Sequence, residues 1–137
     1  MSGRPVQATL EWKGGLQFLA CAGERESVLD GDAVQGCSPM ETLLMSLAGC
    51  MAIDIVHILG KMRARLDGVR AWIEGLRAET EPRRYTSIRM RFEVSGEGLS
   101  RSEVDRAIAL SRERYCSVYH SLRPDIDIEI SHELKPR

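Results

Sequence analysis

The amino-acid sequence predicts an α+β fold in which mostly antiparallel strands surround one long central helix. Apolar and polar residues alternate in several short stretches, which is the pattern of a half-buried strand. Two longer stretches have helical patterns, and each begins with a Ser-x-x-Glu capping box. The predicted order is β-β-β-α-β-β-α-β. Because the strands come in runs rather than in regular βαβ units, antiparallel pairing is favoured.

The N-terminal segment predicts a hairpin and a short third strand. Apolar residues alternate over residues 6–12, and Gly14-Gly15 then supplies turn chemistry. Residues 16–21 have the composition of the returning strand. Residues 27–30 would make a short third strand, followed by a loop that leads into the central helix.

The central helix is predicted for residues 39–62, and the signals at its two ends are clear. Ser38 can cap its first turn, Pro39 suits the first helical position, and Glu41 completes the capping box. Asp67-Gly68 marks a turn beyond its end.

The same helix is apolar nearly all round. Between residues 43 and 59 only Ser46, Asp54 and His57 are clearly polar, and a helix of this kind is buried. A membrane span needs about 20 apolar residues, and Asp54 and His57 interrupt the run, so we interpret it as a soluble core helix. One sheet of a small domain cannot cover it on every side. We therefore expect a second subunit, in an obligate homodimer.

The C-terminal half predicts two strands, a second helix and a final strand. Residues 69–79 and 85–94 are predicted to form an antiparallel pair, since a proline-containing turn separates them and residues 88–94 alternate between apolar and polar. An amphipathic helix that carries Cys116 is predicted from Ser100 to the break at Pro124. Residues 126–130 alternate again and predict the last strand.

Length and composition limit the class of protein. A chain of 137 residues is sized for a single domain, here residues 1–137. The net charge is −1, so no excess positive field favours nucleic acid or an anionic membrane as a partner. No secretory signal or lipidation motif is apparent. We therefore expect a cytoplasmic protein, in a compartment where thiols stay reduced and disulfides are usually catalytic or redox-sensing.

Two cysteine-containing motifs carry a family resemblance. The stretch SPMETLLMSLAGCMAIDIV contains Cys50, and LSRERYCSVY lies far downstream and contains Cys116. Together with the hairpin ATLEWKGGLQF and the LDG turn, they fall in an order that resembles the OsmC/Ohr family, the osmotically inducible and organic hydroperoxide resistance proteins. The motifs SPME and AGC are most similar to its OsmC-like branch. The resemblance covers nearly the whole chain.

This resemblance implies an OsmC-like fold, an intertwined homodimer and a thiol-dependent peroxidase. Cys50 would be the peroxidatic thiol, which attacks an organic hydroperoxide and becomes a sulfenic acid. Cys116 would be the resolving thiol, which condenses with that acid to give a disulfide. An external thiol, often a lipoyl group in the family, would reduce the disulfide. The resemblance implies oxidative stress defence, with no metal and no organic cofactor.

A thiol in an apolar helix needs help to ionise, because apolar surroundings raise its pKa. The hydroperoxide resistance branch has an arginine near the first hairpin and a glutamate directly after the proline that opens the helix. Here the hairpin has Lys13, Met40 follows the proline, and Glu41 comes one place later. We expect Glu41 to serve as the cap. Lys13, and His57 two turns after Cys50, remain candidates for tuning the site.

Other interpretations of the cysteines remain open. Free cysteine is often a buried small hydrophobe, so Cys50 could be a packing residue beside Gly49. Cys116-x-x-x-His120 could place two zinc ligands on one helical face, although no CxxC or HxxxH pair supports it. Cys21 and Cys37 are interpreted as incidental thiols.

A last alternative is a non-catalytic OsmC-like protein. It would bind a small apolar ligand at the dimer interface without turnover.

Overall fold

The structure is a computed structural model that describes residues 3–135. Its elements follow the predicted order, with two short helical segments added before the last strand. The elements are β1 (Thr9–Gly14), β2 (Gln17–Ala22), β3 (Arg25–Asp30), α1 (Pro39–Lys61), β4 (Arg65–Arg77), β5 (Tyr85–Glu97), α2 (Arg101–Leu110), a π-helix (Ser111–Tyr115), α3 (Ser117–Ser121) and β6 (Asp127–Lys135).

The chain divides into two compact units, one up to Leu43 and one from Leu44 onwards. The first holds β1 to β3 and the first turn of α1, and the second holds the remaining elements. Each unit is described by itself below. That residues 1–137 form a single domain stays a prediction.

The first unit is an antiparallel three-stranded sheet in the order β1-β2-β3. Trp12 of β1 pairs with Phe18 of β2, and Phe18 pairs with Leu29 of β3. The hairpin turns at Gly14 and Gly15, whose φ angles are +105° and +56°. Glycine adopts such angles without steric strain. The predicted hairpin and third strand are confirmed.

The start of α1 also agrees with the sequence. The Glu41 backbone N–H donates to Ser38 Oγ at 3.1 Å, and the Ser38 N–H donates to Glu41 Oε1 at 2.9 Å. These reciprocal hydrogen bonds are the predicted capping box, and they satisfy N–H groups that the first helical turn leaves without partners.

The second unit contains a sheet in the order β4-β5-β6. β4 and β5 are antiparallel, as predicted, whereas β5 and β6 are parallel. A parallel pair needs a crossover connection, which the helical segment between β5 and β6 provides. One face of β5 is buried and apolar, and it consists of Ile88, Met90, Phe92 and Val94.

Helix α1 is buried on one side and exposed on another. Leu47, Met51, Ile55 and Leu59 have no accessible surface, whereas Ile53 is 70% exposed. By length and composition α1 could also cross a membrane, a weak indication because core helices pass the same test. The exposure of Ile53 shows that a single chain does not cover α1 on all sides. The prediction that a second subunit supplies the remaining cover stays a prediction.

The predicted second helix is not continuous, and this prediction was wrong. The α-helical part ends at Leu110, a π-helix follows, and Cys116 has an extended backbone with φ −73° and ψ 99°. Its beginning is as predicted, because Ser100 and Glu103 form the second capping box. The spacing of apolar residues could not reveal the extra residue that a π-turn accommodates.

Candidate dithiol site

The second unit brings Cys50 and Cys116 together with a carboxylate. The two sulfur atoms and one carboxylate oxygen of Asp54 all lie within 4.8 Å of one another. Cys50 and Asp54 are four residues apart on α1 and therefore lie on the same helical face. Cys50 is half-buried and Cys116 is fully buried. The two cysteines singled out from the sequence thus share one site.

The π-helix fixes the position of Cys116. Its backbone N–H donates to the carbonyl of Ser111, five residues back, at 2.8 Å. The chain then leaves the helical conformation, and the Tyr119 N–H donates to Cys116 Sγ at 3.4 Å. Turns of this type are frequent at functional sites. One hydrogen bond thus fixes the backbone of Cys116, and the other fixes its sulfur.

Asp54 has a fixed partner across the unit. The Ser111 hydroxyl donates to Asp54 Oδ2 at 2.7 Å, and Ser111 is fully buried. Neither residue was identified as a site residue from the sequence. Asp54 could have been found, because it follows Cys50 by one helical turn and is polar in an apolar run. Ser111 had no such signal, since it only continued the helical spacing.

The surroundings of Cys116 disfavour its thiolate. Burial is the main effect, and it raises the pKa of the Cys116 thiol to about 11. The hydrogen bond from the Tyr119 N–H acts in the opposite direction, while Cys50 and the charge of Asp54 raise the pKa further. Near neutral pH Cys116 is therefore a protonated thiol.

His57 lies in a groove beside the site rather than in the three-residue cluster. It is exposed, and it lines a cavity of about 560 Å³ that Asp54 also lines. The other side chains in this groove combine basic and apolar character: Lys61, Arg106, Ile58, Met62, Leu110 and Tyr115. Positive charge is therefore available on the Asp54 side of the site.

Lys13 and Glu41 have partners within the first unit. Lys13 Nζ is 2.9 Å from Glu11 Oε1 in an exposed ion pair. Glu41 accepts the Ser38 N–H in the capping box, which confirms its expected role as a cap. A role for Lys13 in tuning Cys50 stays a prediction.

The remaining cysteines and histidines lie outside the cluster. Cys21 is half-buried and Cys37 is exposed, and both are free thiols. His120 is engaged elsewhere, because its Nε2 lies 2.9 Å from the carbonyl oxygen of Arg112. His132 Nε2 lies 2.5 Å from Asp105 Oδ1. Among the described residues, the group near Cys116 that could hold a metal ion consists of Cys50, Asp54 and Cys116, without His120.

Comparison with known proteins identifies the family. A family model described as OsmC-like protein matches residues 30–131. The chain belongs to the OsmC-like protein family. Protein YhfA of Escherichia coli K12 is 38% identical over 131 residues, which cover 94% of this chain and 98% of the relative. The family resemblance inferred from the two motifs is confirmed.

Solved structures of OsmC-like proteins and their relatives share the fold. A hypothetical protein from Aquifex aeolicus VF5 is 29% identical with a TM-score of 0.91, and the match covers 98% of this chain and 99% of that one. An organic hydroperoxide resistance protein OsmC from Legionella pneumophila is 16% identical with a TM-score of 0.72, covering 97% and 99%. The α+β, OsmC-like fold is thus confirmed.

Proposed function

We propose that this OsmC-like protein is a thiol peroxidase that reduces organic hydroperoxides with Cys50 and Cys116. The observation that supports this proposal is the approach of the two sulfur atoms to within 4.8 Å. A disulfide requires them to close to about 2.05 Å, a movement that side-chain rotation and a small helix shift can provide. The chain offers two thiols of unequal exposure at one place, which is what a stepwise mechanism needs.

The first step belongs to Cys50. Cys50 is half-buried and Cys116 has no accessible surface, so a peroxide reaches Cys50 first. The Cys50 thiolate attacks one oxygen of the O–O bond and forms an S–O bond. The O–O bond breaks, and the leaving alkoxide takes up a proton and departs as an alcohol. Cys50 is then a sulfenic acid, oxidised by two electrons.

The second step belongs to Cys116. Its sulfur attacks the sulfur of the Cys50 sulfenic acid, an S–S bond forms, and the hydroxyl group leaves as water with the Cys116 proton. An external dithiol, such as a lipoyl group, then reduces the disulfide by two thiol–disulfide exchanges and is itself oxidised. This cycle uses no metal or organic cofactor.

Organic hydroperoxides are the substrate class to test first. The groove that Asp54 lines also has apolar walls, formed by Ile58, Leu110 and Tyr115 among others. Such walls suit an alkyl or aryl group better than the small, polar hydrogen peroxide. The Legionella pneumophila neighbour is named an organic hydroperoxide resistance protein, which supports the same choice. A role in oxidative stress defence in the cytoplasm follows as part of the proposal.

The decisive experiment is peroxide consumption by the purified protein. We expect turnover of cumene hydroperoxide with dithiothreitol and with dihydrolipoamide, and loss of turnover in Cys50→Ser. Cys21→Ser and Cys37→Ser are matched controls and should retain wild-type rates. Mass spectrometry after one equivalent of peroxide should find Cys50 joined to Cys116. Full turnover in Cys50→Ser, or an unmodified Cys50 after exposure, would refute the proposal.

A second candidate function is binding of a small apolar ligand without turnover. The same groove of about 560 Å³ favours it, because it is large enough for a small organic molecule. In that case the assay above gives no turnover, and a hydrophobic ligand raises the melting temperature equally in the wild type and Cys50→Ser. Turnover that depends on Cys50 would instead exclude a purely binding role.

A further inference from the structure

The cluster of Cys50, Asp54 and Cys116 has a property that peroxide chemistry does not use. We propose that, in the reduced protein, these three side chains bind one zinc ion through two sulfurs and one Asp54 oxygen, with water as the fourth ligand. The observation that carries the proposal is that the three donor atoms converge to within 4.8 Å of one another. Zinc binding depends on this geometry alone and does not rest on the proposed peroxidase activity.

The distances suit a tetrahedral ion. Zinc binds thiolate sulfur at about 2.3 Å and carboxylate oxygen at about 2.0–2.2 Å, so tetrahedral ligands lie roughly 3.5–3.8 Å apart. The donor atoms of Cys50, Asp54 and Cys116 are at most 4.8 Å apart before any ion binds. Each pair therefore has to close by no more than about 1.3 Å.

The types of donor atom favour zinc over magnesium and calcium. Thiolates favour zinc and other thiophilic ions, whereas magnesium and calcium require sets of oxygen ligands. Two sulfurs and one carboxylate leave one position open, as in zinc sites with three protein ligands. The pair Cys116 and His120 considered from the sequence does not form this site, because His120 Nε2 lies beside the Arg112 carbonyl.

Groups behind the ligands are already in place. Ser111 donates to Asp54 Oδ2, and this hydrogen bond orients the carboxylate. The Tyr119 N–H donates to Cys116 Sγ, where it would stabilise a metal-bound thiolate. Hydrogen bonds of this kind around metal ligands typically change affinity by about 10–100-fold. Two of the three proposed ligands, Asp54 and Cys116, therefore already accept a hydrogen bond from a neighbouring residue.

Zinc binding and disulfide formation exclude each other, because they use the same two sulfurs. On binding, the two thiols lose their protons to solvent and coordinate as thiolates. If the zinc-bound pair reacts with a hydroperoxide, two protons are taken up, the disulfide forms, and the products are an alcohol, water and free zinc. This release step alone rests on the proposed function. It would make the reduced protein a zinc store that oxidation empties.

The test uses cobalt(II) as a spectroscopic probe and zinc in competition with a chromophoric chelator. Reduced, metal-free wild-type protein should bind one ion per chain and show an intense thiolate-to-cobalt charge-transfer band with tetrahedral visible bands. Cys50→Ser should lose about half of the charge-transfer intensity and at least tenfold in affinity. Asp54→Asn should keep the charge-transfer band and lose affinity, and Ser111→Ala should lose about tenfold.

Cys37→Ser and His120→Ala are the matched controls and should bind as the wild type does, the latter because His120 is the rival ligand. Since Cys116 is buried, Cys116→Ala is measured beside Cys116→Ser, and circular dichroism checks that each variant is folded. Wild-type affinity in Cys50→Ser or Asp54→Asn, or no thiolate band with excess cobalt, would overturn the zinc site. Peroxide is absent throughout, so a failed peroxidase assay leaves this result unaffected.

Discussion

Cys50 and Cys116 have the same functional group in different surroundings, and that difference supports the proposed order of reaction. Cys50 is half-buried on α1, whereas Cys116 has no accessible surface and accepts a hydrogen bond from the Tyr119 N–H. A buried, protonated thiol is a poor first nucleophile, because the thiolate is the reactive form. Cys116 is instead well placed to attack the sulfenic acid of an oxidised Cys50.

The raised pKa of Cys116 predicts a pH-dependent reactivity. Below a pKa of about 11 the thiolate fraction grows about tenfold per pH unit, so alkylation of Cys116 should be slow at pH 7 and accelerate throughout the alkaline range. Iodoacetamide labelling of folded Cys50→Ser, followed by mass spectrometry, measures this rate. The largest cause of the shift is burial, which this substitution leaves in place.

Exposed Cys37 in the same molecule is the internal reference for that measurement. Labelling of Cys116 as fast as that of Cys37 at pH 7 would show that burial does not protect it.

Ser111 should contribute to stability through its bond to Asp54. Ser111→Ala leaves the Asp54 carboxylate without the donor that lies 2.7 Å away, and a lost hydrogen bond of this kind costs about 1–3 kcal/mol. Urea unfolding measures the change. Ser121→Ala is the matched control, because its hydroxyl bonds the Ser117 carbonyl at an exposed position and should contribute less than about 0.5 kcal/mol. Equal effects of the two substitutions would contradict this assignment.

At the scale of elements, sequence patterns predicted what local chemistry determines. The two capping boxes at Ser38 and Ser100, the glycine turn and the alternating strands all formed where they were expected. The π-helix and the parallel pairing of β6 did not follow from the sequence. Both depend on which distant element packs beside a segment. The period of apolar residues predicts the type of element but not its packing partner.

The candidate site divides in the same way. Cys50 and Cys116 were found because their motifs stand out, and Asp54 was visible but was interpreted only as an interruption of an apolar run. Ser111 became part of the site through a contact between residues 57 positions apart in the sequence. No local pattern encodes such a contact.

The π-helix should be necessary for the meeting of the two sulfurs. Deleting Arg114, an exposed residue inside it, would let the Cys116 N–H bond four residues back and restore an α-helical turn. An α-helical Cys116 would lose the extended backbone at which its sulfur accepts the Tyr119 N–H, so the sulfur should be displaced from Cys50. We expect the deletion variant to fold but to form no disulfide between these cysteines on oxidation.

Arg114→Ala keeps the register and is the matched control, which should form the disulfide as the wild type does. Circular dichroism and non-reducing mass spectrometry provide the two measurements. Normal disulfide formation in a folded deletion variant would mean that the π-turn is incidental to the site.

At the scale of the whole molecule, one face of α1 is apolar and open. Met45, Ile53 and Val56 are 49%, 70% and 49% exposed. Gly49 and Gly60 lie on the same face by helical spacing, and a Cβ placed on either would meet nothing within 4 Å. Apolar surface concentrated in this way marks an interaction site, and small residues allow two helices to approach closely. We expect the partner to be a second copy of the chain.

We therefore expect a homodimer with α1 in its interface. Ile53→Arg places a charge at the centre of that face and should shift the protein to monomer, or to unfolded chain, at micromolar concentration, because an unpaired buried charge is strongly unfavourable. Sedimentation velocity measures the change. Glu79→Arg, at an exposed position, is the matched control and should remain dimeric. A wild-type protein that is a stable monomer would contradict the prediction.

The convergence of Cys50 and Cys116 also has a thermodynamic consequence. A disulfide between them would link α1 to the segment beyond α2, across a long stretch of chain. It would lower the conformational entropy of the unfolded chain and so raise the free energy of unfolding by about 4 kcal/mol. The oxidised protein should therefore melt at a higher temperature than the reduced one, a difference that calorimetry would detect and that Cys116→Ser would abolish. Equal melting temperatures despite a confirmed bond would mean that strain in the folded state offsets the gain. If the oxidised protein is more stable, each turnover of the proposed peroxidase would alternate a less stable and a more stable molecule, and resistance to proteolysis would follow the peroxide supply.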